Sequence, residues 1–477
     1  MSTPDAPPPS LYAAREPIFP RRVKGSFRTL KWWLLALMLG VYYVTPWIRW
    51  DRGPNLPDQA VLLDLANRRF FFFMIEIWPH EFYFVAGLLI MAGLGLFLFT
   101  SAAGRVWCGY ACPQTVWTDL FILVERWVEG DRNARIRLHR QKWNGEKIRK
   151  SAVKWTIWAL IGLATGGAWV FYFTDAPTLA ANLIAGTAHP VAYTTMAILT
   201  ATTFFFGGFA REQICIYACP WPRIQAAMMD EDTLTIAYRD WRGEPRGKQG
   251  VEGNGDCIDC MACVNVCPMG IDIRNGQQMA CITCGLCIDA CNDIMDKIGK
   301  PHGLIGYLAF TDETREREGK PPKSVWNHVF RPRTILYTTL WAGIGIGLIV
   351  ALFLRTEIDV NVTPVRNPTF VTLSDGSIRN TYDLRLRNQH GDDRWFGISA
   401  TSEAPLQVTI EGAEGLRVLV PANETLQTRV YLTAAPDSPA AKADRTDLTL
   451  WIEDKGSATE PGTDRVAKET IFNGEGN

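Results

Sequence analysis

Long apolar runs alternate with strongly charged stretches along the chain up to residue 354. Each run is about long enough for a helix to cross the hydrocarbon core of a bilayer, which takes roughly 20 residues. The runs cover residues 32–48, 82–103, 155–173, 191–210 and 335–354. Another apolar run, residues 70–78, is too short to span and is interpreted as an interfacial or re-entrant segment. The pattern predicts a bundle of five transmembrane helices.

The distribution of basic residues predicts how these helices are oriented. Residues 105–154 carry eleven Lys and Arg, whereas residues 174–190 carry none. Because short loops rich in Lys and Arg stay in the cytoplasm, the loop 104–154 is predicted to be cytoplasmic. The same side then holds an N-terminal arm, residues 1–31, and a soluble domain, residues 211–334. An odd number of spans places the C-terminal part on the opposite side.

The chain changes character after residue 356. Short segments of alternating apolar and polar residues recur, and turn residues such as those at 374–377 separate them. About seven short strands over roughly 100 residues are typical of a β-sandwich of immunoglobulin type. Residues 356–477 are therefore predicted to form an immunoglobulin-like domain, and they contain no cysteine that could form a disulfide.

Composition adds one constraint to this picture. The 477 residues include 49 basic and 49 acidic side chains, so the formal net charge is zero. A hydrophobic content of 47% fits a membrane protein with soluble parts. The balanced charge gives no reason to expect a nucleic-acid partner, and the composition leaves a homodimer open.

Eight of the twelve cysteines lie within residues 257–291. Their spacing, Cys-x2-Cys-x2-Cys-x3-Cys repeated once, is that of bacterial two-cluster ferredoxins, in which the fourth cysteine of a run binds the other cluster. One [4Fe-4S] cluster is therefore predicted on Cys257, Cys260, Cys263 and Cys291. The other is predicted on Cys281, Cys284, Cys287 and Cys267. Zinc sites use separated cysteine pairs instead, and disulfides would remove the ligands, so a reducing compartment is expected.

The other four cysteines belong to an internal repeat. Each of its two units consists of a predicted span, an outer connection, a second span and a Cys-x3-Cys-Pro motif. The motifs contain Cys108 and Cys112 in the first unit, and Cys215 and Cys219 in the second. Cysteines four residues apart share a helix face, and both units keep the same orientation, so the four thiols can converge at one depth. Copper, a redox disulfide and a third iron–sulfur cluster all suit such thiols, and four inert buried thiols are the alternative.

Two histidines occupy matching places in this repeat. His80 lies 28 residues before Cys108, and His189 lies 26 residues before Cys215. Our hypothesis is that both bind a redox partner at the outer face, such as a quinone, a haem or copper. The alternative is that they only anchor the ends of helices. The histidines that lie among basic or loop residues are interpreted as solvated: His139, His302 and His328.

The combination resembles the FixG/RdxA/CcoG family of membrane polyferredoxins over nearly the whole chain. The segments that carry the resemblance are residues 107–119, 129–132, 211–220, 242–246 and 255–276. The resemblance implies a protein of the bacterial cytoplasmic (inner) membrane with five spans, two [4Fe-4S] clusters and a periplasmic immunoglobulin-like domain. It also implies a role in maturing cbb3-type cytochrome c oxidase, because family members are thought to reduce Cu(II) to Cu(I) for that enzyme.

The resemblance thus implies an oxidoreductase that acts as a cupric reductase. A cytoplasmic donor of the ferredoxin or flavodoxin type would reduce the clusters, and the four cysteines of the Cys-x3-Cys-Pro motifs would hold the copper. The oxidase or its copper chaperones would be the partners.

Two other functions remain open. A quinone-linked polyferredoxin subunit would exchange electrons with membrane quinol and would depend on His80 or His189. A non-enzymatic assembly scaffold would depend on residues 356–477.

Overall fold

The computed structural model describes residues 17–53, 56–355, 358–457, 461–462 and 464–476. The first sixteen residues of the predicted N-terminal arm therefore lie outside the described residues. The chain divides into two compact units. The first comprises Met1–Ile48 and Gln59–Leu348, and the second comprises Arg49–Asp58 and Ile349–Asn477. The first unit is mainly helical and contains all twelve cysteines, and the second is mainly β.

The helices that precede the β-rich unit follow the predicted apolar runs and fill the stretches between them. In chain order they are α1 (Ser26–Val44), α2 (Tyr83–Ala103), α3 (Val106–Tyr110), α4 (Pro113–Val128), α5 (Arg132–Arg140), α6 (Gly145–Val170), α7 (Ala176–Ala185), α8 (Pro190–Phe205), α9 (Trp221–Met228), α10 (Asp240–Gly243), α11 (Ala262–Val266), α12 (Leu286–Ile298), α13 (Phe310–Arg317), α14 (Val325–Val329) and α15 (Pro332–Leu354). Two π-helical segments, Phe206–Ala210 and Ile214–Ala218, follow α8.

Three helical stretches in the described part of the chain are long and apolar enough to cross a membrane: Pro79–Ala103, Pro190–Ala210 and Pro332–Leu354. They coincide with the second, fourth and fifth predicted spans and support membrane association. Helices α1 and α6 occupy the places of the first and third predicted spans. Both begin with charged turns that precede the apolar run, so their crossing of a membrane stays a prediction.

The apolar run at residues 70–78 forms strands instead of a re-entrant segment. Strands β1 (Val61–Asp64), β2 (Arg69–Phe72) and β3 (Ile75–Ile77) make an antiparallel sheet in that order. Aromatic residues favour strands, and β1, which precedes the run, supplies the partner that the apolar pattern alone does not reveal. Phe71 is buried between its neighbours, with 1% of its surface exposed.

Helix α1 is held to the cysteine-rich part of the unit by buried charges. The backbone N–H of Arg28 donates to the carboxylate of Asp289 on α12 at 2.7 Å. The guanidinium of Arg28 donates to both oxygens of Asp119 on α4, at 2.8 and 2.9 Å. Close to α12, β4 (Thr235–Tyr238) pairs antiparallel with β5 (Ile305–Leu308). These contacts fix the frame in which the cysteines lie.

The second unit consists of two antiparallel sheets around one core. Its strands are β6 (Ile358–Pro364), β7 (Val371–Thr372), β8 (Ile378–Asn388), β9 (Arg394–Ser402), β10 (Gln407–Ile410), β11 (Arg417–Val420), β12 (Thr425–Ala434), β13 (Arg445–Asp454) and β14 (Arg465–Asn473), and α16 (Pro439–Lys442) precedes β13. One sheet has the order β10-β12-β8-β6 with β7 beside β8, and the other has the order β11-β9-β13-β14. Alternate residues of both sheets, such as Leu386, Phe396 and Leu450, share the core. The predicted β-sandwich is confirmed.

Candidate functional site

The eight cysteines of residues 257–291 surround two cavities. We call the first the distal cavity; it is lined by Cys257, Cys260, Cys263 and Cys291. We call the second the proximal cavity; it is lined by Cys267, Cys281, Cys284 and Cys287. Cys263 borders both cavities. The structure thus gathers each predicted set of four thiols around one cavity, with one cysteine taken from the other run.

The curl of each cysteine loop comes from backbone that lies in the left-handed region. Asp259 and Met261, on either side of the middle cysteine of the first run, have φ of 51° and 55°. Thr283 and Gly285 take the same places in the second run, with φ of 53° and 75°. Such turns point successive backbone N–H groups into a concave site that favours anions and iron–sulfur clusters. Of these four residues, only the glycine is of a type that indicates a left-handed turn from the sequence alone.

The chemistry of the two cavities fits [4Fe-4S] clusters. Their remaining walls are largely apolar, with Ile236, Met269 and Ile273 around the proximal cavity. In the part of the chain that the structure describes, no three His, Cys, Asp or Glu side chains could hold one metal ion. A cubane cluster needs a different arrangement, because each thiolate binds a separate iron and the sulfurs surround a space. Four soft thiolates around a dry cavity meet that requirement.

Burial governs the ionisation of these cysteines as free thiols. It raises the pKa of Cys263 to about 11 and the pKa of Cys291 to about 12. Free thiols at these positions are protonated at neutral pH, so cluster binding releases protons.

The two Cys-x3-Cys-Pro motifs come together beside the proximal cavity, and we call their cysteines the four-cysteine site: Cys108, Cys112, Cys215 and Cys219. Cys108 is buried on α3, and Cys215 lies on the second π-helical segment. Burial raises the pKa of Cys108 to about 11, and negative charge on Cys112 or Cys219 would raise it further. Burial also raises the pKa of Cys215 to about 12, and negative charge on any of the other three thiols would raise it further. The four sulfurs are therefore close enough to interact electrostatically.

A buried amide contacts one of these thiols. The Sγ of Cys108 donates to Oε1 of Gln225 at 3.0 Å, and Nε2 of Gln225 donates to Oγ1 of Thr100 at 3.2 Å. Gln225 lies on α9 and is fully buried. Sequence reasoning missed this residue, because nothing in the spacing relates a glutamine on α9 to a cysteine 117 positions earlier.

The first motif packs directly on the loop that lines the proximal cavity. The hydroxyl of Tyr110 donates to the carbonyl oxygen of Cys284 at 2.9 Å. Gly109 approaches the same loop so closely that a Cβ would lie 2.5 Å from the carbonyl oxygen of Ile282. The backbone N–H of Arg105 donates to Oγ1 of Thr283 at 3.1 Å. The four-cysteine site and the proximal cavity thus share a wall.

A small cavity opens beside the second motif. It is bordered by Cys215 together with Lys31, Asp119 and Glu212. We call it the Cys215 cavity. Met269 and Ile282, which border it too, also line the proximal cavity. Cys215 therefore has open space beside it, whereas Cys108 is closed in by Gln225.

The arginine that precedes the second motif belongs to a buried ion-pair network. Arg211 and Arg135 both donate to the carboxylate of Glu125, and Lys154 lies 3.9 Å from it. Burial alone would raise the pKa of Glu125, yet Arg211 and Arg135 together hold it below its usual value of 4.5. The carboxylate is charged, and it fixes the turn that leads into the second motif.

The two histidines of the repeat lie at the starts of two different helices. His80 lies in the turn Pro79–Glu81 before α2, and His189 is the cap residue before α8. Both are exposed, and Nδ1 of His189 accepts a hydrogen bond from the N–H of Val191 at 3.3 Å. Among the described residues neither histidine belongs to a group that could hold a metal ion.

The solvated interpretation is wrong for His328. This side chain is 1% exposed, and its Nε2 lies 2.6 Å from a carboxylate oxygen of Asp312. Its Nδ1 faces the carbonyl oxygen of Asp232 at 3.1 Å. A partner in the fold makes burial possible, and the sequence around His328 does not reveal that partner. His139 and His302 are exposed as predicted.

Comparisons with known proteins identify three stretches of the chain. Residues 210–309 match the family described as a 4Fe-4S dicluster domain, and residues 84–132 match one described as a 4Fe-4S binding domain. Residues 348–475 match the family described as the IG-like fold at the C-terminal of FixG. The predicted iron–sulfur domain and immunoglobulin-like domain are therefore both confirmed.

Whole-chain relatives agree with these matches. The chain is 73% identical to Protein RdxB of Cereibacter sphaeroides over 482 residues, which cover 100% of both proteins. It is 70% identical to Protein RdxA of the same organism, over 94% of this chain and 95% of that protein. It is 51% identical to Nitrogen fixation protein FixG of Rhizobium meliloti, over 94% of this chain and 91% of that protein. The chain therefore belongs to the FixG/RdxA family and is an iron–sulfur electron-transfer protein.

Proposed function

We propose that the protein reduces Cu(II) to Cu(I) at the four-cysteine site, in the maturation of a cbb3-type cytochrome c oxidase. Its place would be the bacterial inner membrane, with the cysteine-rich part in the cytoplasm and the immunoglobulin-like domain in the periplasm. When bound, the two clusters supply one-electron transfer. The observation that carries the proposal is the wall shared by the proximal cavity and the four-cysteine site, since electron transfer needs short separations.

The chain offers an entry point for electrons at the distal cavity. Cys260 is exposed, and the neighbouring Met261 is 40% exposed. The nearby charges are largely paired, since Arg274 contacts both Asp259 and Asp272 at 2.5 and 2.7 Å. A donor of the ferredoxin or flavodoxin type would bring its redox centre close to this exposed edge, and Cys263 lies between the two cavities.

The four-cysteine site offers the type of ligand that suits the product of the reaction. Its sulfurs are not set around a single ion in the described structure, so copper would have to draw them together. Cu(II) would gain one electron from the donor by way of the clusters and become Cu(I), while Cu–S bonds form and the thiol protons pass to solvent. Thiolates bind Cu(I) more strongly than harder ions, so copper uptake displaces the thiol protons and favours the reduced ion. The Cys215 cavity leaves a small space for the ion beside the thiol of Cys215, and the oxidase or its copper chaperones would receive the ion.

The test separates the four-cysteine site from the clusters. A variant with Ser at positions 108, 112, 215 and 219 should keep about eight irons per chain and lose copper reduction by an added one-electron donor. The matched control replaces Cys260 with Ser, which should impair the distal cluster and leave copper binding intact. Undiminished copper reduction in the four-serine variant would eliminate this site as the place of the reaction.

A second candidate is that the four-cysteine site holds a third iron–sulfur cluster. The observation in its favour is the match of residues 84–132 to a 4Fe-4S binding domain, since this stretch contains only Cys108 and Cys112. The absence of a single-ion site among the described residues agrees with it. Iron analysis of anaerobically purified protein decides the matter: about twelve irons per chain support a third cluster, and about eight support copper.

A further inference from the structure

Arg105 lies in the wall between the proximal cavity and the four-cysteine site. Its side chain is buried, with 4% of the residue exposed. The guanidinium donates to the carbonyl oxygen of Met279, and the backbone N–H donates to Thr283. Both acceptors flank Cys281, a proximal-cavity cysteine. Arg105 therefore holds the proximal loop against the first motif.

The positive charge of Arg105 lacks a carboxylate partner. Among the described residues, no Asp or Glu forms an ion pair with it within 4.0 Å, and its Nε is buried without a hydrogen-bond partner. A buried, unpaired charge is strongly unfavourable. The contacts with Met279 and Thr283 place this charge beside Cys281, and Arg105 stands three residues before Cys108 in the chain. An iron–sulfur cluster on four thiolates is an anion, and in the proximal cavity it would lie beside this charge.

Arg211, the corresponding residue before the second motif, has a different role. It contacts Glu125, as described above, and its guanidinium lies 5.5 Å from the ring centre of Trp158. Arg211 thus pairs with a carboxylate, which it shares with Arg135 and Lys154. Of the two arginines that precede the motifs, only Arg105 presents an unneutralised charge to the cysteines.

We propose that Arg105 is a positioning residue that raises the reduction potential of the proximal cluster relative to the distal one. This rests on the proposed placement of a cluster in the proximal cavity. Reduction adds one electron and hence one negative charge to that cluster. A fixed positive charge in a medium of low dielectric stabilises the added charge. Electrons that enter at the distal cavity then move towards the four-cysteine site.

The experiment is a redox titration of both clusters in the full-length protein, followed by electron paramagnetic resonance. Arg105→Gln should lower the equilibrium constant for reducing the proximal cluster at least tenfold, which is 59 mV for one electron. The distal cluster should move less than twofold. Arg105→Lys keeps the charge and should stay within fivefold of the wild type. The control is Arg223→Gln, which removes an exposed arginine of α9 and should move neither cluster by more than twofold.

Several results would overturn this assignment. One is a proximal shift below tenfold in Arg105→Gln, and another is an equal shift of both clusters. If the glutamine variant does not bind its proximal cluster, Arg105→Lys decides, because a fall greater than fivefold contradicts a role for charge. A wild-type protein without a proximal signal would overturn both this inference and the proposed function. A wild type with both signals, and a glutamine variant that shifts neither, would overturn the inference alone.

Discussion

The first Cys-x3-Cys-Pro motif is wound as the short α-helix α3, whereas the second is wound as a π-helical segment. In the first, Cys108, Gly109 and Tyr110 are all buried. In the second, none of the residues Ile214–Ala218 is buried, and Tyr217 is 52% exposed. The two share Tyr-Ala-Cys-Pro and differ in burial, although both pack against the hydrophobic cluster that contains Ile282.

The difference shows that the repeat divides two tasks between similar segments. Gly109 and Tyr110 pack on the proximal loop, so the first motif connects the four-cysteine site to the proximal cavity. Ile216 occupies the place of Gly109 in the second motif, and its bulk would be incompatible with such a close approach. The second motif instead borders the Cys215 cavity. The first motif thus connects the four-cysteine site to the proximal cavity, which would supply the electron. The second motif borders the Cys215 cavity, where the ion would bind.

The largest effect is expected when Gly109 of the first motif is replaced with isoleucine, the residue that the second motif has at the same place. A Cβ at position 109 would lie 2.5 Å from the carbonyl oxygen of Ile282 and 3.1 Å from Cα of Cys284. Backbone cannot yield cheaply, so Gly109→Ile should cost about 3 kcal/mol of folding free energy. The proximal cluster should be lost, and iron should fall from about eight to about four per chain.

The matched control is the reverse exchange. Ile216→Gly removes a half-buried side chain and places a flexible residue in a short helical segment, which costs about 1 kcal/mol. Iron content should stay at about eight per chain. If both exchanges lower the iron content equally, the two motifs are equivalent and the division of tasks is wrong.

The next largest effect concerns the support of the second motif. Glu125→Gln removes the carboxylate between Arg211 and Arg135, and it leaves Arg135 with only the longer contact to Glu129 at 4.0 Å. The loss should be about 3 kcal/mol at pH 7, measured as a lower midpoint of thermal unfolding. Glu146, which is exposed and pairs with Lys150, is the control, and Glu146→Gln should leave the midpoint of thermal unfolding nearly unchanged.

The same network predicts a dependence on pH. The pKa of Glu125 is lower in the folded protein than its usual value of 4.5, so its charge stabilises the fold fully above that value. This contribution disappears as the pH falls through the lower, folded pKa. The gap in thermal midpoint between wild type and Glu125→Gln should therefore narrow below about pH 4.5. A constant gap from pH 7 to acid would contradict the assigned charge.

Sequence reasoning reached the parts of this molecule that depend on local spacing. The cysteine sets around the two cavities are those that the Cys-x2-Cys runs predict, because a run of that spacing curls around one centre. Apolar runs predicted the helices, and alternation predicted the β-sandwich. Contacts between distant segments were out of reach: Gln225 on Cys108, and Asp312 on the buried His328. Only Gly109 could have told from the sequence which motif packs on the proximal loop. It takes the place that Ile216 has in the second motif, and a glycine there indicates close backbone approach.

A smaller effect is expected at Gln225, which contacts the thiol of Cys108, and at Thr118, which takes the matching place after the first motif. Gln225→Leu removes the amide that accepts from Cys108 and donates to Thr100, and should cost about 1 kcal/mol. Thr118 takes the place of Gln225 after the first motif and borders the Cys215 cavity. Thr118→Val should therefore cost less than about 0.5 kcal/mol. Thermal midpoints of the two variants measure the difference. A larger loss for Thr118→Val would contradict the supporting role assigned to Gln225.

The smallest effect compares the two tyrosines that the motifs share. Tyr110 is buried and its hydroxyl donates to the carbonyl oxygen of Cys284 at 2.9 Å. Tyr110→Phe should therefore cost about 1 kcal/mol and speed amide hydrogen exchange in the loop that follows Cys284. Tyr217 is half exposed, so Tyr217→Phe should stay within about 0.5 kcal/mol and leave that loop unchanged. Because each change removes one oxygen atom from an equivalent position, equal exchange rates in the two variants would mean that the first motif does not hold the proximal loop through this hydroxyl.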